Sequence, residues 1–231
     1  MPAEKATALV LRTVEFSESS LVLTLFTREF GKVRALAKGA RRLKGPFESA
    51  LDLLALCRIV FLRKSSEALD LVTESKLVRR FRPAERDLSS LYAGYYVAEL
   101  LNDLTDDYDP HPELFDLASE SLAALSAGEP VGDRVLRFEL VALRLLGHLP
   151  SLDRCVDCGA SVPMTGRVAF GQLDGGVLCP QCCGGKRQLA SASAGVLRMM
   201  AQLADTEGQT WRRQVVSGDA PSTPAVNSAA S

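Results

Sequence analysis

The sequence has few aromatic residues, almost no histidine and no long apolar run. Of its 231 residues, 6% are aromatic, two are histidine and one is tryptophan. The longest apolar stretch, 51–62, is interrupted by Asp52 and Arg58, whereas a membrane-spanning helix needs about 18 consecutive apolar residues. The apolar stretch 6–11 meets Arg12 too soon to form a signal peptide. We therefore expect a cytoplasmic protein without a membrane partner.

Motifs for nucleotide binding and for acid–base catalysis are also missing. The sequence contains neither G-x-x-x-x-G-K-[ST] nor G-x-G-x-x-G, and His111 and His148 belong to no recognisable triad. His111-Pro112-Glu113 matches half of the zinc deaminase signature, but Pro180 lies inside a cysteine pair rather than before it. The sequence therefore predicts a protein that is not an enzyme and has no small-molecule substrate.

Charge is divided unevenly along the chain, although the formal net charge is only −1. Residues 1–82 hold 16 Lys and Arg against 9 Asp and Glu, whereas residues 83–150 hold 4 against 13. A basic first third beside an acidic middle third indicates an anion-binding module joined to a differently charged scaffold.

Hydrophobic periodicity divides the chain into segments of different structure. Period-two alternation and glycine-marked turns predict five short strands, over 6–14, 21–26, 33–38, 51–62 and 69–78. Such a segment folds as a small barrel, of which the OB type is one solution, or as a small sandwich or SH3-like barrel. After Pro83 the period becomes helical, and 190–204 predicts one more helix. The expected domains are 1–82, a helical domain over 83–150 and 190–216, an inserted zinc ribbon over 151–189, and a disordered tail over 217–231.

Four of the six cysteines form two Cys-x-x-Cys pairs, Cys155 with Cys158 and Cys179 with Cys182, with 20 residues between the pairs. This spacing is typical of a tetrahedral four-sulfur zinc site. Four sulfur ligands leave no open position for water, so we expect one structural Zn²⁺. Cys183 is an alternative fourth ligand, although the x-x spacing favours Cys182. Cys57 lies in an apolar strand and is expected to be buried.

The run 31–46 contains six cations and no acidic residue. Alternation places Arg34, Leu36 and Lys38 on one face of a strand and Val33, Ala35 and Ala37 on the other. Arginine and lysine in this arrangement favour binding to the phosphate backbone of a nucleic acid. The predicted DNA contacts are Lys32, Arg34, Lys38, Arg41, Arg42 and Lys44. Because residues 1–82 have phenylalanines but neither Tyr nor Trp, and several of those rings belong in the core, we expect phosphate contacts rather than base stacking.

Several of these features together resemble the bacterial RecO family over about residues 5–204. They are Ala37-Lys38-Gly39-Ala40-Arg41-Arg42, the stretches 95–104 and 109–115, and 137–147 leading into Cys155 and Cys158. The resemblance implies an α+β multi-domain protein: an N-terminal five-stranded OB-type β-barrel, then an α-helical bundle carrying the small four-cysteine zinc ribbon.

The resemblance also implies a function and a set of partners. RecO-like proteins are recombination mediators that bind single- and double-stranded DNA and anneal complementary strands. With RecR, they help load RecA onto DNA coated by single-strand binding protein (SSB). A nucleoid-associated bacterial protein is therefore expected. The residues themselves also permit a zinc-ribbon interaction module that binds RNA or an acidic protein, or, in a third class, a zinc hydrolase.

Overall fold

The computed structural model describes residues 3–42, 47, 50–64, 68–83 and 87–206. The chain divides into two compact units, Met1–Leu149 and Pro150–Ser231. The predicted DNA contact Lys44 and the predicted tail over 217–231 lie outside the described residues.

The first unit begins with a closed five-stranded barrel of the OB type. Its strands are β1 (Ala3–Glu15), β2 (Leu21–Thr27), β3 (Gly31–Ala37), β4 (Leu56–Leu62) and β5 (Asp70–Arg79). Their order around the barrel is β1-β2-β3-β5-β4, and only β3 and β5 run parallel. The strand predicted over 51–62 begins later, at Leu56, because Leu54 has a left-handed backbone with φ of 62°.

Strands β1 and β2 are apolar on both faces because both faces are buried. Ala8 and Leu25 belong to the barrel interior, whereas their chain neighbours Leu9 and Phe26 face outward and pack beneath helices. Alternate side chains of these strands therefore pack into two different hydrophobic cores. The barrel interior and the barrel–helix contact form one continuous unit, 1–149.

Three helices complete this unit: α1 (Leu88–Leu104), α2 (Pro112–Ser126) and α3 (Val131–Leu145). Asp87 caps α1 by accepting a hydrogen bond from the Ser90 amide. The rings of Phe26 and Phe115 lie 6.1 Å apart between β2 and α2. The helical period after Pro83 is thus confirmed.

The loop between α1 and α2 packs against the start of β3. Gly31 has φ of +70°, and a Cβ atom there would lie 2.0 Å from the Asp109 carbonyl oxygen. Only glycine allows this approach, since any side chain would collide with backbone. The Tyr108 amide also donates to the Lys32 carbonyl at 2.9 Å. This loop therefore brings acidic residues of the helical segment to the basic strand.

Over residues 150–206, which the structure describes, the second unit contains the antiparallel sheet β7-β6-β8 and one helix. The elements are β6 (Arg167–Gly171), β7 (Gly176–Leu178), β8 (Leu189–Ser193) and α4 (Ala194–Leu203). Strands β6 and β7 form an antiparallel hairpin, and its turn ends at Gly175 and Gly176. The helix predicted over 190–204 begins later, at Ala194, because residues 189–193 pair with β6. Leu197 packs helix α4 into the same apolar cluster as Cys155; the assignment of 190–216 to the helical domain stays a prediction.

Candidate metal centre and nucleic-acid interface

The four predicted cysteines converge in the second unit. The sulfur atoms of Cys155, Cys158, Cys179 and Cys182 all lie within 4.8 Å of one another. Those of Cys158 and Cys179 are 3.8 Å apart, and a tetrahedral zinc with Zn–S bonds of about 2.3 Å gives S···S edges of about 3.8 Å. The four thiols are therefore close enough together to hold one metal ion.

Each cysteine pair lies on a tight turn that points both sulfurs inward. In the first turn the Gly159 amide donates to the Cys155 carbonyl at 2.8 Å, with Gly159 at φ of +71°. In the second turn the Cys182 amide donates to the Cys179 carbonyl at 3.0 Å. These are local consequences of the Cys-x-x-Cys spacing.

The electrostatics of the cluster suit a cation. The backbone amides of Cys158 and Cys179 donate to the Cys155 sulfur and lower its pKa to about 6, which favours the thiolate form of this ligand. The side chains of Cys179 and Cys158 raise the pKa of Cys182, because neighbouring sulfurs cannot all ionise without a counter-charge. A divalent metal would supply that charge and hold all four as thiolates.

Cys183 is not part of the cluster. Its sulfur donates a 3.2 Å hydrogen bond to the Cys179 carbonyl, and the four grouped thiols include Cys182 instead. Cys57 is buried in the barrel as predicted, and burial raises its pKa to about 11. The His111 ring contacts Asp109 at 3.0 Å at the start of α2, so the deaminase ligand set is not assembled among the described residues.

A lysine that sequence analysis missed supports the first cysteine turn. The Lys186 ammonium donates to Asp157 at 3.1 Å and to Asp174 at 2.7 Å. Asp157 lies inside the first pair and Asp174 lies between β6 and β7. Lys186 thus links the first cysteine turn to the hairpin between β6 and β7. No sequence signal marks a pairing between residues so far apart in the chain.

On the first unit, the basic run forms an exposed surface at the end of β3. Arg34, Lys38, Arg41 and Arg42 are exposed, whereas Val33 and other inward residues of β3 are buried, which confirms the predicted alternation. Arg34 pairs with Asp107 at 3.2 Å, and Arg41 pairs with Glu15 at 2.9 Å. We refer to Arg34, Lys38, Arg41 and Arg42 as the basic surface.

Lys32 has a different environment, which argues against its predicted role as a DNA contact. Its side chain is buried, and its ammonium donates to the Asn102 and Thr105 carbonyl oxygens at the end of α1. A phosphate cannot reach this group without displacing those hydrogen bonds. Lys32 is therefore not part of the basic surface.

An open cleft of about 700 Å³ lies elsewhere on the barrel, where residues of β1, β4 and β5 line it. Its charged lining is mixed: Lys5, Arg58, Lys76, Glu29 and Glu74. The basic surface differs from the cleft because its four cations come from one short run, 34–42.

Comparison with known proteins places most of the chain in one family. The family model "Recombination protein O N terminal" matches residues 1–81, and "Recombination protein O C terminal" matches residues 85–220. The chain is 49% identical over 198 residues to "DNA repair protein RecO" of Rhodopirellula baltica, covering 85% of this chain and 73% of that protein. It is 39% identical over 205 residues to the protein of the same name from Anaeromyxobacter dehalogenans strain 2CP-1, covering 89% and 80%.

A third relative, "DNA repair protein RecO" of Myxococcus xanthus, is 40% identical over 177 residues, covering 76% of this chain and 70% of that protein. Among the residues that the structure describes, no helix has the length and apolarity that crossing a membrane requires. The two family matches, the OB-type barrel and the identity to these relatives agree with the resemblance seen in the sequence. The chain belongs to the RecO family of DNA repair proteins.

Proposed function

We propose that this protein is a non-enzymatic, DNA-binding recombination mediator that anneals complementary single strands. The observation that supports it best is the basic surface, which the barrel of a RecO family member presents at the end of β3. In this proposal Arg34, Lys38, Arg41 and Arg42 contact DNA phosphates. Lys44 belongs to the same run and is proposed as a contact on sequence alone.

The ion pairs of the basic surface favour exchange with a phosphate. The side chains of Arg34 and Asp107 are 60% and 43% exposed, and those of Arg41 and Glu15 are 41% and 70% exposed. Each exposed ion pair of this kind contributes less than about 1 kcal/mol to stability. The carboxylates therefore hold the guanidinium groups in place without preventing a phosphate from replacing them.

Phosphate contacts carry no sequence information and are present on single and double strands alike. A surface of this kind binds any strand, and it neutralises the repulsion between two strands that approach each other. Both properties suit a protein that brings complementary strands together. RecR, RecA and SSB are the proposed partners, with RecR assisting the loading of RecA onto SSB-coated DNA on the bacterial nucleoid.

We further propose that the four clustered cysteines bind one Zn²⁺ with a structural role. Their sulfur ligands would complete a tetrahedral shell and leave no position for a reacting water. Zinc would then stabilise the second unit, while DNA binding would rest on the basic surface of the first. Catalysis is not part of the proposal.

Charge neutralisation of the basic surface tests the proposed function. The variant Arg34→Gln, Lys38→Gln, Arg41→Gln, Arg42→Gln removes four charges without placing new carboxylates beside Asp107 and Glu15. The control Lys5→Gln, Arg58→Gln, Lys76→Gln removes cations from the mixed cleft. Fluorescence anisotropy with labelled single-stranded DNA across a salt series gives the DNA affinity and its dependence on salt concentration.

For the unmodified protein, four phosphate contacts predict a log–log salt slope of about −3. We expect the basic-surface variant to lose binding and the control to retain most of it. A second assay measures pairing of complementary strands by energy transfer. Binding without faster pairing would favour the interaction-module alternative, and unchanged binding in the basic-surface variant would place the DNA site elsewhere.

A further inference from the structure

One phenylalanine of the barrel segment stands apart from the others. Phe26, Phe47 and Phe61 are buried, and Phe30 and Phe81 are partly buried against the two cores of the first unit. Phe16, in contrast, is 66% exposed. It lies in the short loop between β1 and β2 and packs in neither core among the described residues.

The backbone around Phe16 is held in place. Its amide donates to the Ser20 carbonyl at 3.0 Å, which closes the loop. The loop is also tied to the basic surface, because the Arg41 amide donates to the Ser19 carbonyl at 3.2 Å and the Arg41 side chain pairs with Glu15 at 2.9 Å. Phe16 thus lies in the chain between Glu15 and Ser19, which both bond directly to Arg41, a proposed phosphate contact.

The surroundings of the ring point to a nucleic-acid base rather than a protein surface. The next two residues, Ser17 and Glu18, are exposed and polar, and Val14, two residues before Phe16, is 44% exposed. Along this stretch the exposed apolar surface is therefore limited to Val14 and Phe16, which is less than the wide patch that proteins bury against each other. A flat aromatic ring beside phosphate-binding cations is the arrangement that holds single strands, in which one base stacks while the backbone follows the cations. Loops between the first two strands of OB-type barrels are suited to contact oligonucleotides.

We propose that Phe16 is a stacking platform for an unpaired base and gives the protein a preference for single-stranded over double-stranded DNA. The inference rests on the proposed DNA binding and adds a second mode of contact to it. It departs from the sequence-based expectation that binding depends on phosphate contacts rather than on base stacking. In a duplex the bases are already stacked and paired, so the ring would gain contact only with single strands.

The test compares Phe16→Leu, which keeps an apolar side chain but removes the ring, with Phe16→Trp, which retains an aromatic face. Leu173→Ala serves as the control, because Leu173 is similarly exposed at 70% but is aliphatic and lies in the second unit. Affinities for single-stranded and duplex DNA of equal length are measured by anisotropy at one salt concentration, with 2-aminopurine fluorescence reporting on base stacking. Thermal unfolding by circular dichroism verifies that each variant is folded.

We expect Phe16→Leu to lose about tenfold in single-strand affinity, as one lost base stack predicts, with duplex affinity unchanged. The 2-aminopurine signal change on binding should disappear in this variant and return in Phe16→Trp, while Leu173→Ala matches the unmodified protein. If Phe16→Leu binds single strands normally while the basic-surface variant does not, the stacking inference is wrong and the proposed function stands. If the unmodified protein binds neither form of DNA, both fail.

Discussion

The ammonium group of Lys32 lies 2.5 Å from the backbone carbonyl oxygen of Thr105 and donates a hydrogen bond to it. The same group donates to the Asn102 carbonyl at 2.6 Å, and Thr105 is the C-cap residue of α1. The last carbonyls of a helix have no partner within the helix, and a cation near them also interacts favourably with the helix dipole. Lys32 therefore anchors the end of α1 to strand β3.

Replacing Lys32 with methionine is expected to destabilise the protein without weakening its DNA binding. The change leaves two carbonyl oxygens without their donor, which lowers the free energy of unfolding by about 2–4 kcal/mol. Urea unfolding measures this effect. Lys38→Met is the matched control, because Lys38 is exposed: it should keep full stability and lose DNA affinity. A stable Lys32→Met protein with weakened DNA binding would contradict the structural role.

Replacing Asp107 with asparagine is expected to strengthen DNA binding. Asp107 pairs with the exposed Arg34 and competes with a phosphate for it, so its neutralisation should tighten binding about two- to fivefold, the worth of an exposed ion pair. Asp116→Asn carries the same charge change but frees Arg28 instead, and it should have a smaller effect. Equal affinities of Asp107→Asn and the unmodified protein in anisotropy titrations would remove Arg34 from the interface.

Removal of one cluster sulfur is expected to abolish metal binding and loosen the second unit. Cys158→Ser should lose its metal in elemental analysis, whereas Cys183→Ser should retain it, since Cys183 lies outside the cluster. Cys155 and Cys179 belong to the apolar core of the second unit, so the variant should show a separate, lower melting transition for that unit. Full metal content in Cys158→Ser would show that this thiol is not a ligand.

Cys57 is expected to resist alkylation while the protein is folded. Its side chain is fully buried, and burial raises its pKa to about 11, so at pH 8 about one molecule in a thousand carries the reactive thiolate. Mass spectrometry after iodoacetamide treatment should find Cys57 modified only in denaturant. The exposed Cys158 in chelator-treated protein is the positive control. Rapid modification of Cys57 in the native state would mean that the barrel opens readily.

Much of this architecture could be predicted because it follows from short-range patterns. Period-two alternation placed Arg34 and Lys38 on the outer face of β3, since successive side chains of a strand point to opposite sides. The Cys-x-x-Cys spacing likewise selected Cys182 over Cys183, because a tight turn brings the first and fourth residues together. Strand limits were less predictable: the left-handed backbone of Leu54 delays β4, and pairing with β6 turns 189–193 into a strand.

The identity and spacing of the residues are sufficient to predict the basic run, the two cysteine turns and the five strands. Each of these features depends on neighbours a few positions away. They do not distinguish Lys32 from Arg34, which share the outer face of the same strand. That distinction comes from a carbonyl 73 positions along the chain. Arg34 and Asp107 are also far apart in the chain, so no local pattern predicts their pairing. Long-range packing also decides that Phe16, among the six phenylalanines of residues 1–82, is the exposed one. Burial on the outside of a barrel depends on which other elements pack there, and that packing is a property of the folded chain.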